Sequence, residues 1–460
     1  MFRRVGAAVL VAAAAAGCRL PLPARLPHPL VVNIALSVAG FFATSRMTLA
    51  MVPAFVKARL SGIDLNKPQT KRDASGALVR PYEGPVVPEA MGLVACTVYL
   101  VCMFVFIPFP FLGDVEKWGT DQGGSWGAPQ ASGSSSYHFP HAYLSKFLCA
   151  LLAICCMSLL GFADNVLDLR WRDRLWLPLA ASLPLLMVYA VDGGGTVITM
   201  PRFVAPLVGA SIRIGAAYYV FMACLAIFCT NSINILAGVN GLECGQSVVI
   251  AATVLANNAI QLWRWPEGPL HDNNLFSLYL VLPFFACSLG LLRHNWHPAK
   301  VFVGDTYCYF AGMTFAVSAI LGHNTKTVLL FFVPQILNFL YSVPQLFRAI
   351  PCPRHRMPGY LAKTDQLCMS YAEFAPAELG RAGRLVLALC ERLRLAKVER
   401  LADGTVRLSN LTIINFALYA LGPMHEARLT TVLLLLQLVC NAAALLVRYQ
   451  LAGLFYEVVR

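Results

Sequence analysis

Charge is scarce in this sequence. Only 13% of its 460 residues are Asp, Glu, Lys or Arg, against 58% hydrophobic residues, and the mean hydropathy is +0.63. That balance excludes an ordinary soluble domain and predicts a polytopic membrane protein. No paired CxxC spacing occurs among the fifteen cysteines. Many stand inside apolar runs, among them Cys96, Cys102, Cys149, Cys229, Cys287 and Cys440. They read as small buried hydrophobes, which argues against a disulfide scaffold or a zinc site. No GxxxxGK[ST] phosphate loop is present, no internal repeat is evident, and a Ser-His-Asp triad has little support. The net charge of +13 is therefore no nucleic-acid signal, because in a membrane protein Lys and Arg mark cytoplasmic loops and the headgroup region.

What is abundant is apolar segments long enough to cross hydrocarbon as helix, about twenty residues each. Crossing candidates are 30–57, 91–112, 143–163, 175–191, 207–229, 246–263, 274–292, 306–322, 326–348 and 429–455. The predicted fold is thus all-α, with about ten transmembrane helices and a small α+β insertion before the last. The predicted division is a signal-like or lumenal segment 1–29, a catalytic bundle 30–350, a cytosolic insertion 351–428 and a final helix 429–460. The opening MFRRVGAAVLVAAAAAGC reads equally as a secretory signal or an extra helix. A Gly/Ser-rich loop at 119–137 reads as flexible.

When these crossings alternate, one side collects Arg59, Lys67, Lys71, Arg72, Arg80, Arg170, Arg172, Arg174, Arg293, Lys300, Arg354 and Arg356. The other has little beyond Lys117, Arg202, Arg264 and Lys326. The positive-inside rule makes the first side cytosolic and both termini lumenal. Within the insertion, LGRAGRLVLALCERLRLAK (379–397) has the pattern of a helix lying in the membrane interface. VERLADGTVRL (398–408) reads as a hairpin around an Asp-Gly turn. The sole N-x-[ST] sequon, Asn410-Leu411-Thr412, falls on the cytosolic side, so it is predicted to be unmodified.

Five loops on that side carry unusual polar groups: SGIDLNK (61–67) with VPEAMG (87–92), GFADNVLDLRWRDRLWLP (161–178), FCTNSINILAGVNGLECGQS (228–247), NWHPAKVFVGDTYCYFAGMT (295–314) and PCPRHRMP (351–358). Asp305 follows Gly304 at the start of an apolar run, where an unpaired carboxylate entering the bilayer centre costs on the order of 3 kcal/mol. A bound divalent cation is the better account. Hard oxygen ligands (Asp164, Asn234, Asp305) beside Arg174, Arg354 and Arg356 suit phosphates held with Mg²⁺, since that ion takes few protein oxygens and guanidinium matches phosphate in a fork. His355, between two arginines, should stay largely neutral. Asp168, Arg170, Arg172 and Asp173 read as residues that organise the turn or meet headgroups.

The stretches GFADNVLDLRWR, FCTNSINILAGVNGLE, VFVGDTYCYFAGMTFA, FLYSVPQLFRAIPCPRHRMP and LGPMHEARLTTVLLLLQ closely resemble the eukaryotic UDP-GlcNAc:dolichyl-phosphate GlcNAc-1-phosphotransferases, of the polyprenyl-phosphate sugar-1-phosphate transferase superfamily. The resemblance runs from about residue 30 to the C-terminus. It implies a ten-helix fold in the endoplasmic reticulum membrane with a cytosolic active site making the first lipid-linked sugar of N-glycosylation. It implies Mg²⁺ on Asn234 and Asp305, and a uridine pocket of Leu65, Glu89, Gly238, Asn240 and Phe302, with Ile63 and Asp64 beside it. Arg354 would hold the diphosphate, His355 and Arg356 the sugar, and the helix end from Phe228 through Asn231 to Asn234 would guide the lipid. Asp164, Asn165, Arg174, Asp305 and His355 form the implied catalytic set. Implied partners are UDP-GlcNAc, dolichyl phosphate and membrane lipid, with no nucleic acid; a homodimer is left open. Direct displacement is expected, with a covalent aspartyl intermediate as the alternative.

Two departures stand out: Asn165 where relatives commonly have a second aspartate, and Arg174 where they have lysine. The expectation is that activity survives both. A relative using another lipid or sugar remains the nearest rival. A nucleotide-sugar transporter is disfavoured, because its ionisable groups would cluster at mid-membrane rather than at one face.

Overall fold

The computed structural model describes residues 28–71, 79, 82–112, 140–167, 169, 173–192, 194–200, 202–203, 205–353, 356–402 and 404–455. The signal-like start, the loop 119–137, Asp168, Arg170, Arg172, Arg354, His355 and the side chain of Asp173 lie outside the described residues.

Helices dominate. They are α1 His28–Lys57, α2 Gly92–Phe106, α3 His141–Leu167, α4 Asp173–Val191, α5 Ala216–Ile235, α6 Leu242–Arg264, α7 Pro269–Asn295 and α8 Gly304–Leu321, followed by a bent pair, α9 Thr325–Phe331 and α10 Val333–Leu346. Among the described residues six helices are long and apolar enough to cross a membrane, or seven if the pair, bent by 67°, counts as one span. Five of the six show exposed apolar side chains typical of lipid contact, such as Val38 and Phe42 on α1 and Leu152 and Leu159 on α3, and α7 is largely enclosed by its neighbours. By contrast α8 is buried along almost its whole length, from Thr306 to Leu321, packed by α3, α5, α7 and α2. A central helix meets protein rather than lipid, so it tolerates Asp305, Thr306, Thr314 and Ser318. Close approach is what makes this core possible. A Cβ on Gly312 would stand 2.4 Å from the Cys229 carbonyl oxygen and the Thr230 Cα of α5, so only glycine fits there.

Two expected crossings need correction. The run 207–229 does not start a helix at 207. Strands β3 Val197–Thr199 and β4 Ser211–Arg213 pair antiparallel first, and the helix begins at Ala216. The run 326–348 is not one rod. Pro334, in the first turn of α10, has no N–H to give and crowds the preceding turn, so the chain breaks at Phe332. The freed Phe331 carbonyl is satisfied by Gln437 Nε2 at 2.8 Å, as a break at membrane depth requires.

Beyond α10 lie β5 Gly359–Leu361, β6 Gln366–Cys368, β7 Tyr371–Phe374, α11 Arg381–Arg392, β8 Val398–Arg400, β9 Val406–Ser409, α12 Ile413–Leu421 and α13 Glu426–Leu446. The expected β8–β9 hairpin is present, with Gly404 in the left-handed region (φ +82°). Strands β7, β9 and β8 form one antiparallel sheet. The helix read as interfacial is used inward as well: Leu387 and Cys390 pack with Ala372, Phe374, Val406 and Leu408. Leu385 and Leu389 remain exposed on its other side. Asn410 of the sequon is buried and its amide is bonded at both ends, to Gln345 and Ser370. Modification is therefore closed to it in the folded chain.

Candidate active site

The loops singled out in the sequence meet at one end of the bundle. The last residues of α1, α3, α5 and α7 and the first of α2, α4, α6, α8 and α13 all border this end. Strand β1 Ser61–Ile63 pairs with β2 Val86–Pro88, and the segment before α8 zips onto β2: Phe302 N donates to Pro88 O at 2.8 Å, and Gly92 N donates to Val303 O at 2.9 Å. Gly304 then turns the chain with φ +69°. A Cβ there would lie 2.8 Å from Ala90 Cα and from Asn165 Oδ1, so glycine is what lets Asp305 come this close to α3.

These elements enclose a cavity of about 310 Å³. Ile63, Asp64, Leu65, Glu89, Asn234, Gly238, Asn240, Phe302 and Asp305, all named from the sequence, line it. Asn234 Nδ2 donates to Asp305 Oδ1 at 2.7 Å. Arg174 bridges two carboxylates, with Nη2 3.0 Å from Asp164 Oδ1 and Nη1 3.5 Å from Asp305 Oδ2. Tyr309 donates its hydroxyl to Asp164 Oδ2 at 2.9 Å, and Leu169 N donates to Asp164 Oδ1 at 3.1 Å. Asp164, 1% exposed, thus spends both oxygens on neighbours and orients Arg174.

Asn165 sits differently. Its Oδ1 accepts from Thr306 N at 2.9 Å and from Thr306 Oγ1 at 2.7 Å, which ties α3 to the first turn of α8. That duty needs an acceptor oxygen and no negative charge, so asparagine serves it. Phe228 and Asn231 are not in the cavity lining. They stand about two turns and one turn earlier on α5, Phe228 with its ring 6.0 Å from that of Phe332, beside the break between α9 and α10. Arg356 is not in the cavity lining; it precedes Met357, which is. Its Nη1 is buried with no hydrogen-bond partner among the described residues.

Four residues fall outside the expected site set although they stand in the same polar motifs: Glu243 of NGLE, Lys67 of DLNK, His297 of NWHP and Glu426 of PMHEAR. Glu243 Oε1 accepts from Gly238 N at 3.1 Å and so shapes the loop carrying Asn240. Glu426 is 4% exposed and meets Lys67 Nζ and His297 Nδ1, each at 3.0 Å. The partner of Glu243 is local, but Lys67, His297 and Glu426 meet across the length of the chain, so no local pattern could mark those three.

The donor set decides what the cavity can hold. Six carboxylates (Asp64, Glu89, Asp164, Glu243, Asp305, Glu426) line or flank it, against Lys67 and Arg174. Burial pushes the Glu89 carboxyl above the usual carboxylate range. A lining this rich in carboxylate favours an anionic ligand that arrives with a cation. No group of three or more His, Cys, Asp or Glu side chains suited to a metal exists among the described residues. A donor set of few oxygens fits Mg²⁺, which takes one or two protein oxygens and completes its shell with water and phosphate. Asp305 and the amide of Asn234 are oxygen donors of that kind, and the unpaired Arg356 Nη1 is suited to a phosphate or sugar oxygen.

Comparison with known proteins agrees with this chemistry. Residues 147–323, from α3 to just past α8, match glycosyl transferase family 4. The chain is 44% identical over 433 residues to the UDP-N-acetylglucosamine–dolichyl-phosphate N-acetylglucosaminephosphotransferase of Schizosaccharomyces pombe, covering 93% of this chain and 94% of the relative. It is 42% identical to the Saccharomyces cerevisiae protein of that name (94% and 93% covered) and 40% identical to that of Dictyostelium discoideum (89% and 88% covered). With such identity across almost the full length, the chain belongs to the UDP-N-acetylglucosamine–dolichyl-phosphate N-acetylglucosaminephosphotransferase family.

Proposed function

We propose that this multi-pass membrane protein transfers GlcNAc-1-phosphate from UDP-GlcNAc to dolichyl phosphate, giving GlcNAc-diphosphodolichol and UMP, the first step of lipid-linked oligosaccharide synthesis. The observation that carries the reading is the junction of Asn234, Asp305 and Arg174 at one wall of a cavity whose other wall is Leu65, Asn240 and Phe302. One wall suits phosphate and the other a nucleoside.

An oxygen of the lipid phosphate attacks the β-phosphorus of UDP-GlcNAc, the bond from that phosphorus to the UMP oxygen breaks, and UMP leaves. Such transfers depend on positioning and on stabilising charge at the equatorial oxygens more than on covalent help. Bound Mg²⁺ would supply that charge while Asp305 and Asn234 held it. Arg174, kept in place by Asp164, directs its guanidinium to the same point, and being always protonated it acts as a clamp rather than a base. Phe302 offers a face for the base, Asn240 and Glu89 offer polar partners, and Arg354, His355 and Arg356 take the diphosphate and sugar. The lipid phosphate arrives along Phe228 and Asn231. The monoester is already ionised near neutral pH, which favours direct displacement.

The topology that suits this chemistry has ten crossings, with the bent pair as one, α6 and α8 crossing inside the bundle and α4 at its rim, the site facing the cytosol of the endoplasmic reticulum and both termini lumenal. The exposed Leu385 and Leu389 of α11, between Arg381 and Arg392, would rest against headgroups.

The test is to incubate purified protein with UDP-GlcNAc, dolichyl phosphate and Mg²⁺, with and without EDTA, and identify the released nucleotide. UMP that requires both lipid and metal is the expected result. Release of UDP would mean that the sugar moves alone and would overturn the reading.

A further inference from the structure

Helix α13 lies outside residues 147–323 that match the family profile, yet its first two turns reach the nucleotide wall of the cavity. Glu426 Oε1 accepts from the backbone N of Asn240 at 2.7 Å. Four residues on, Thr430 Oγ1 donates to the Asn240 carbonyl at 2.9 Å. Both main-chain polar groups of Asn240 are thus held by the i and i+4 positions of one helix face. The Asn240 side chain is fixed in turn, because Nδ2 donates to Asp64 Oδ2 at 3.0 Å.

Lys67 joins the two halves. Its Nζ lies 3.0 Å from Glu426 Oε2 and 3.3 Å from Asp64 Oδ2. Asn240 belongs to the short link between α5 and α6, which has no regular secondary structure of its own to hold it. A carboxylate this buried persists only when paired and fully hydrogen-bonded, and Glu426 meets that condition by gripping Asn240, Lys67 and His297 together. An uncharged residue could pack α13 against α6, but it could not order three loops at once.

We propose that Glu426, assisted by Thr430, is a positioning residue for the nucleotide half of the site: the last membrane helix presets Asn240 and Asp64 for the pyrimidine nucleotide and leaves the lipid half untouched. The inference rests on the function proposed above, because it assigns the Asn240 wall to the nucleotide.

The experiment compares Glu426→Gln and Thr430→Val with wild type in the UMP-release assay, measuring KM for each substrate separately. Loss of the carboxylate oxygen shared by Lys67 and His297 is expected to raise the KM for UDP-GlcNAc at least about tenfold in E426Q, and loss of one neutral bond about threefold in T430V. The KM for dolichyl phosphate should stay within about twofold in both. A residue that only supports the fold would lower melting temperature and yield without separating the two KM values. If neither variant separates them, the inference is wrong; should E426Q fail to fold, T430V alone decides. Calorimetric titration with UMP keeps the two proposals distinct. Wild type that binds UMP but releases none from UDP-GlcNAc sinks the function, while the weakening of UMP binding in the variants still judges the positioning.

Discussion

Two buried polar clusters in this bundle are built from different chemistry. At the cavity end the groups form charge pairs: Asp164 and Asp305 with Arg174, and Asp64 and Glu426 with Lys67, with His297 beside Glu426. Inside the bundle they are neutral amides, where Gln335 Nε2 donates at 2.7 Å to both Gln246 and Gln437, tying α6, α10 and α13 together. The difference follows from what each place can supply. Neutral amides carry no charge to desolvate, so they join helices at modest cost even where Gln335 Oε1 is left without a partner among the described residues. Ionised groups need water, counter-charge or an incoming ligand, and the membrane face supplies these. Charge therefore marks where the molecule works, and amides mark where it is held.

Breaking the charged cluster should cost most. Arg174→Ala removes the guanidinium between Asp164 and Asp305 and is expected to lower kcat per folded enzyme by at least about 10²-fold, the scale seen when a transition-state donor is lost, and to lower the melting temperature as well, because Asp164 is left buried without its counter-charge. Initial rates at saturating substrates check it.

Breaking the amide cluster should cost stability instead of rate. Gln335→Leu strands Gln246 and Gln437 and is expected to remove about 1 kcal/mol, read as a lower melting temperature in detergent. The rate per folded enzyme should stay within about twofold. A large loss of rate with unchanged melting would erase the distinction between the clusters.

The smallest effect sharpens the boundary. Asn165 stands beside the charged cluster but acts as an acceptor for Thr306. Asn165→Asp is expected to change kcat by less than about threefold, whereas Asn165→Ala, which removes the bond at the start of α8, should cost about 1 kcal/mol of stability.

Much of the charged cluster is legible in the amino-acid sequence. The loops that carry Asp64, Asp164, Asn234 and Asp305 stand out because charge and amides interrupt apolar runs there, and Asn234 and Asp305 line the cavity together with Ile63, Leu65, Glu89, Gly238, Asn240 and Phe302, which only the family resemblance pointed to. The Asp-Gly turn announces the β8–β9 hairpin. Less legible are features that depend on contacts across the chain. Glu426 pairs with Lys67 at a separation of 359 positions, and nothing local to PMHEAR announces that. The break before Pro334 is readable in principle, but a long apolar run outweighs one proline. The β3–β4 hairpin hides because Ile212 of its second strand and Ile214 in the link after it run on into the apolar start of α5.

The central claim is that phosphotransfer happens where Asn234, Asp305 and Arg174 converge. It is tested most directly by comparing wild type with Asp305→Asn for Mg²⁺-dependent formation of GlcNAc-diphosphodolichol, with nucleotide binding measured on the same preparations. The account predicts that product formation falls by at least about 10²-fold while UMP still binds at the Asn240 wall. Wild-type rates in Asp305→Asn would contradict it and move the chemistry elsewhere on the membrane face.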